Sequence, residues 1–267
     1  MRAVLGIDAA WTDTQPSGVA LAIETASGWY LKAAEPSYQR FQSLTDSHLR
    51  TEGRPSGVRP DVRALLASAS VLCDGRVDLV SVDMPLAHKP IVGRRFSDDA
   101  VSKAYGARNC STHTPNPSRP GRISDDLRQG FEQEGYPLQT TVVVAPGLIE
   151  VYPHPALVEL ANAPNRLPYK ASKVASYWPM ASPFERRAEL YRQWTEILTL
   201  LEQEIAGVAK ALPALEINAK GWQVKAYEDA LDAIICAWVA ICALEGSVTP
   251  FGDENSAIWV PRPRTIV

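Results

Sequence analysis

Apolar positions fall in short blocks through the first third of the chain. Residues 3–7 and 19–24 read as two strands joined by a loop, and residues 28–33 as a third after a turn at 25–27. This is the pattern of an antiparallel meander. A polar stretch follows, punctuated by Pro36, Gly53, Pro55, Gly57 and Pro60. Residues 61–73 then take a helical period, with Val62, Leu65, Leu66, Ala69 and Leu72 on one face. Residues 77–82 form a fourth strand, apolar apart from Asp78 and Ser81, as suits a largely buried strand.

The pattern then breaks. Residues 84–146 are rich in Pro, Arg, Ser and Thr, with short helices predicted at 97–105 and 124–133. So long an irregular connection inside a compact domain is usually functional. Residues 148–152 read as a fifth strand, followed by a rigid loop at Pro153-His154-Pro155 and a helix near 156–161. Longer helices are predicted at 184–207 and 224–244, and a short edge strand at 257–260. With no internal repeat or linker, the expected organisation is one α/β domain over 1–267, with an irregular insertion at about 84–146.

Both apolar strands that precede loops end on a carboxylate, Asp8 and Asp83, and Glu150 interrupts a third apolar strand. The last helix carries Glu228, Asp229 and Asp232 before a run that is apolar on nearly every face. Singly, each has an ordinary reading. Asp8 can open a turn, Glu150 can pair with an arginine, and Glu228 and Asp229 suit a first helical turn. Asp232 is harder to place, because it introduces a packed apolar run. Together they suggest a cluster, and clustered carboxylates do not all stay ionised without positive charge. Hard divalent cations supply that charge through oxygen ligands, so Mg²⁺ or Mn²⁺ is the expected cofactor. Two such ions roughly 3.5–4 Å apart activate water and stabilise a leaving oxygen in phosphodiester cleavage.

Bulk composition adds limits. A net charge of −3 and a pI near 5.9 exclude a surface that is basic overall, so any nucleic-acid contact must be local. The insertion supplies such a place: from 88 to 128 it holds eight Lys or Arg against four Asp. Arg94, Arg95 and Arg108 are candidate phosphate contacts there, with His113 and, after strand five, His154. Trp11, close to Asp8, reads equally as a base-stacking or a packing residue. Cys73, Cys110, Cys236 and Cys242 form no CxxC pair, so neither a zinc knuckle nor a disulfide framework is expected. The chain starts directly with a strand-like run and has no apolar stretch long enough to span a bilayer, which points to the cytoplasm.

Several motifs also carry a resemblance. "GIDAAW", "SVDMPLA" and "EDALDAIICAW" resemble the ribonuclease H-like superfamily. Asp229-Ala-Leu-Asp232-Ala matches the D-x-x-D-A signature in the last helix of RuvC-type Holliday junction resolvases. More narrowly, "RRFSDDAVSKAYGARNCSTHTP", "IEVYPHPAL", "LPYK" and "KAYEDALDAIICAW" are similar to the family of domains of unknown function numbered 429, described as predicted ribonuclease H-like nucleases. The resemblance implies a mixed sheet with a three-strand antiparallel meander and helices on both faces. It implies metal ligands at Asp8, Asp229 and Asp232. The middle acidic place falls to Asp83, where resolvases have Glu, with Glu150 able to fill or assist it.

Three functions compete at this stage. The first is a divalent-metal-dependent nuclease or phosphodiesterase acting on nucleic acid or a nucleotide phosphate. The second is a non-catalytic nucleic-acid or nucleotide binding protein on the same fold. The third, an actin-like phosphotransferase, shares the meander but needs a glycine-rich turn after the first aspartate, and "DAAWTDTQPSG" has only one glycine, Gly18.

Overall fold

The computed structural model of the protein describes residues 1–49 and 53–263. Its strands are β1 (Ala3–Asp8), β2 (Gly18–Thr25), β3 (Gly28–Glu35), β4 (Leu79–Val82), β5 (Gly147–Val151), β6 (Val248–Gly252) and β7 (Ala257–Pro261). They form one sheet in the order β3-β2-β1-β4-β5-β7-β6. The β1–β2, β2–β3 and β6–β7 pairs are antiparallel, and β1–β4, β4–β5 and β5–β7 are parallel. The expected meander is therefore one flank of a mixed α/β sheet. The helices are α1 (Tyr38–Ser43), α2 (Val62–Cys73), α3 (Phe96–Tyr105), α4 (Arg122–Gln133), α5 (Pro153–Leu160), α6 (Val174–Tyr177), α7 (Pro183–Glu204), α8 (Val208–Ala211) and α9 (Gly221–Leu244).

Because side chains alternate across a strand, the sheet separates two cores. Val4, Ala20, Ala22, Leu79, Ile149 and Val151 face α5, α7 and α9. Leu5, Ile7, Val19, Leu21, Val80, Val82 and Leu148 face α2 and α4, with Phe41 of α1. α9 lies directly on β1, β2 and β4, and α7 packs on it in turn, which explains why α9 is apolar on nearly every face from Ala233 onward.

Glycine permits the close approach of α9. A Cβ on Gly6 would overlap the Ala233 carbonyl, and one on Gly18 would overlap the Asp229 carbonyl. Ser81, on the same face of β4, donates its hydroxyl to the Cys236 carbonyl at 2.7 Å. Small residues on three adjacent strands thus let the helix rest on the sheet backbone.

The elements differ from expectation in several places, among them the short helices α6 and α8, which sequence reasoning missed. α9 begins at Gly221, so Glu228 and Asp229 lie two turns inside it, beyond the reach of the helix-end dipole. His154 is in the first turn of α5, not in a loop, because Pro153 suits the first helical position. Residues 257–260 belong to an inner strand, β7, while the edge is β6, which sequence reasoning missed. β6 contains Pro250, a residue that argues against a strand except at a sheet edge. α1 was also missed, inside the polar stretch. Among the described residues, no helix is long and apolar enough to cross a membrane.

Candidate functional site

β1 and β4 run parallel with Ile7 beside Val82, so the next residues, Asp8 and Asp83, stand side by side at the strand ends. Asp8 has the parity of Gly6, and Asp83 that of Ser81, so both point to the α9 face. Glu150 does not. It is paired with Val82, one residue short of Asp83, and faces the opposite side of the sheet. There Arg95 binds it through two nitrogens at 2.5 and 2.7 Å, and the Leu86 amide donates to it at 2.7 Å. Arg95 also binds Asp98 at 2.8 Å. Glu150 and Arg95 are thus a buried structural pair, and neither reaches the site.

Asp8 and Asp83 form the floor of a cavity of about 630 Å³. The loop after β1 supplies Trp11, the insertion supplies His113 and Arg119, and the start of α5 supplies His154. One face of α9 adds Trp222, Lys225, Glu228 and Asp229, and the segment before and after Lys170 adds Arg166 and Lys173. Arg54 closes the rim. The Arg119 guanidinium lies 5.9 Å over the Trp11 ring, and His113 meets the same ring edge-on at 6.5 Å.

Two lysines enter the acidic cluster, and no periodic signal marks Lys170, although it sits in the "LPYK" motif. The Lys170 ammonium donates to Asp232 and lies 3.8 Å from Glu228. The Tyr169 hydroxyl donates to the other Asp232 oxygen at 2.8 Å. Asp232 is therefore saturated beneath Lys170 and does not line the cavity. Lys225 donates to Asp229 and, at 3.2 Å, to Glu228, whose other oxygen accepts the Ala171 amide at 2.6 Å. Glu228, read from sequence as a helix-end residue, is part of this network.

The carboxylates still outnumber the ammoniums: Asp8, Asp83, Glu228, Asp229 and Asp232 face Lys170 and Lys225. Burial, then Asp232 and Asp229, push the Asp8 carboxyl well above its ordinary range. Burial raises Asp83 to about 7, against the pull of Lys170. Burial likewise raises Asp229 to about 6, although Lys225 opposes it. Positive charge is what this floor lacks.

Among the described residues, no three His, Cys, Asp or Glu side chains converge closely enough to hold a metal ion unaided. The donors nevertheless fit a hard cation of the Mg²⁺ kind, which typically takes one or two protein carboxylates and completes its shell with water and substrate phosphate. Among the described residues no donor reaches the Asp8 or Asp83 carboxylate, and Asp229 Oδ2 is buried without a partner. Asp232, expected as a principal ligand, is committed to Lys170 and Tyr169.

The expected phosphate contacts divide in the same way. Arg94 pairs with Asp99 at 2.5 Å, and Arg108 pairs with Glu159 at 2.7 Å, both outside the cavity. Of the eight basic residues between 88 and 128, only Arg119 lines it. The rim cations Arg54, Arg119, Arg166 and Lys173 make no ion pair among the described residues. Arg54, Arg166 and Lys173 went unread because all three lie outside the basic insertion, Arg54 in the polar stretch and Arg166 and Lys173 beside the "LPYK" motif.

The family model DUF429, "Protein of unknown function", matches residues 6–257. No curated protein and no solved structure matches the chain.

Proposed function

The chain belongs to the DUF429 family, and we propose that it is a divalent-metal-dependent phosphodiesterase acting on a nucleic acid or nucleotide. One observation carries this reading: Arg54, Arg119, Arg166 and Lys173, without an ion pair among the described residues, ring a cavity whose floor holds the carboxylates Asp8 and Asp83. An acidic floor under a basic rim suits a ligand that brings phosphate and shares a cation with the floor. The antiparallel meander followed by parallel strands, with acids on β1, β4 and α9, supports a ribonuclease H-like nuclease as the finer assignment.

Asp8 and Asp83 would hold the cation, with Asp229 Oδ2 as a further oxygen. A bound Mg²⁺ or Mn²⁺ supplies a Lewis acid and a water of lowered pKa. Arg54, Arg119 and Lys173 bind the flanking phosphates, for which guanidinium groups are well shaped. Trp11, braced by Arg119 and His113, offers a face on which a base stacks. Lys170 holds Asp232 in place and keeps one fixed positive charge beside the floor.

That fixed charge favours a second reading. Lys170 and Lys225 already neutralise two of the acids, which suits a protein that binds nucleotide without cleaving it. Mn²⁺ binding by electron paramagnetic resonance at pH 8, with cleavage of a short oligonucleotide, separates the two. Wild type should bind Mn²⁺ and cleave. Asp8→Asn and Asp83→Asn should each bind at least tenfold more weakly and not cleave. Oligonucleotide binding without cleavage would select the second reading, and no carboxylate-dependent Mn²⁺ binding would overturn the first.

A further inference from the structure

We infer that Arg166 and His154 form a phosphate-monoester subsite in the cavity wall, separate from the carboxylate floor. Both side chains line the cavity. His154 is only 7% exposed, and its Nδ1 is buried with no hydrogen-bond partner among the described residues. The Arg166 Nε is likewise buried and unpartnered. Stranded buried nitrogens are rare in native proteins, because each carries the desolvation penalty of an unmade bond. Among the described residues neither the His154 ring nor the Arg166 guanidinium makes a hydrogen bond or an ion pair, although both residues line the cavity.

The wall is also fixed in place. The Arg166 amide donates to the Arg108 carbonyl at 2.8 Å. The His154 ring stands edge-on to Tyr152 at 5.2 Å and to Tyr169 at 5.4 Å. Such a ring cannot turn to find another partner without disturbing two aromatic contacts.

The occupant's chemistry follows from the donors. Arginine offers only N–H groups, so it requires an acceptor, and its planar fork matches an oxyanion. The charged and titratable groups whose fields reach His154 are Lys170, Arg166 and His113, all basic. Burial first, and then these neighbours, hold the imidazole well below its ordinary pKa, so it is neutral and its ring N–H serves as a donor. This corner is therefore positive within a cavity whose floor is negative. A dianionic phosphate monoester, rich in acceptors, matches it better than a neutral sugar or base does. The inference rests on the phosphodiester reading only for what the phosphate belongs to: the terminal phosphate of a nucleotide or strand end, seated beside the scissile linkage.

Calorimetric titration with inorganic phosphate in excess chelator tests the subsite without any divalent cation. Wild type should bind, and Arg166→Met should bind at least tenfold more weakly. Arg166→Lys, which keeps the charge but loses the fork, should fall between; thermal melts confirm that each variant is folded. Imidazole ¹⁵N spectra should show the His154 signals moving as phosphate is added. A nucleoside 5′-monophosphate should bind more tightly than inorganic phosphate, and the unphosphorylated nucleoside should lose most of that affinity. Equal phosphate affinity in wild type and Arg166→Met, or a nucleoside as tight as its monophosphate, would overturn the subsite. Absence of Mn²⁺ binding would overturn the phosphodiesterase and leave the subsite standing.

Discussion

Asp83 and Glu150 lie at the ends of adjacent parallel strands, one residue out of step, and their fates are opposite. Glu150 faces the α2 side of the sheet, where Arg95 and the Leu86 amide take up its oxygens. Burial outweighs Arg95 and the Leu86 amide and raises its carboxyl to about 7, yet every neighbouring donor addresses its ionised form. Burial also works against the Arg95 charge, but Glu150 and Asp98 outweigh it and raise the guanidinium pKa further. The pair is therefore ionic. Asp83 faces α9 and a cavity, with no donor of its own among the described residues. The lesson is that a buried acid marks a site only when its charge is left uncompensated.

The largest test of this contrast is Arg95→Met. It leaves Glu150 and Asp98 charged and buried, and it should lower stability by about 3–5 kcal/mol, read from urea unfolding. The opposite sign is expected for Asp83→Asn in chelator at pH 8. That change removes an uncompensated charge and should raise stability by about 1–3 kcal/mol, part of the full effect being screened by water in the cavity. A loss of stability in Asp83→Asn comparable to that in Arg95→Met would break the comparison.

A pH series sharpens it. The folded-state pKa values of Asp8, Asp83 and Asp229 are raised, so the folded protein holds protons that the unfolded chain has released. Their contribution to stability is complete below the ordinary carboxylate pKa of about 4. It is lost as pH rises through about 6 for Asp229 and about 7 for Asp83. Melting temperature in chelator should fall over this window, and Mn²⁺ should restore it increasingly as the ligands deprotonate. The smallest expected effect is that of Trp11→Ala, which should weaken oligonucleotide binding by about 1–3 kcal/mol and leave the Mn²⁺ titration unchanged.

The sheet and its main helices were legible because apolar period and strand length both registered in single segments. Asp8 and Asp83 stood out because each ends an apolar run, whereas Asp229 stood out only through the D-x-x-D-A resemblance. Glu150 was misplaced because pairing register is a tertiary property, and a one-residue offset sends a side chain to the other face. Asp232 stood out correctly as anomalous, but its compensation by Lys170 and Tyr169 could not be read from residues 62 and 63 positions away. Arg94, Arg95 and Arg108 were attractive as a local cluster, yet local carboxylates and the strand network consume them. The cations left over at the rim come from three separate segments that only the fold unites.

The seating of α9 on Gly6 and Gly18 has a consequence for when the protein can fail. The acids of that helix are aligned with Asp8 by direct contact of helix and strand backbones, without an intervening layer of side chains that could soften independently. Amide hydrogens around 229–236 should then exchange only through complete unfolding, as for the slowest cooperative unit of a domain. A folded but misaligned form has no gentle route into existence, and the temperature at which the site disperses should be the temperature at which the whole sheet melts.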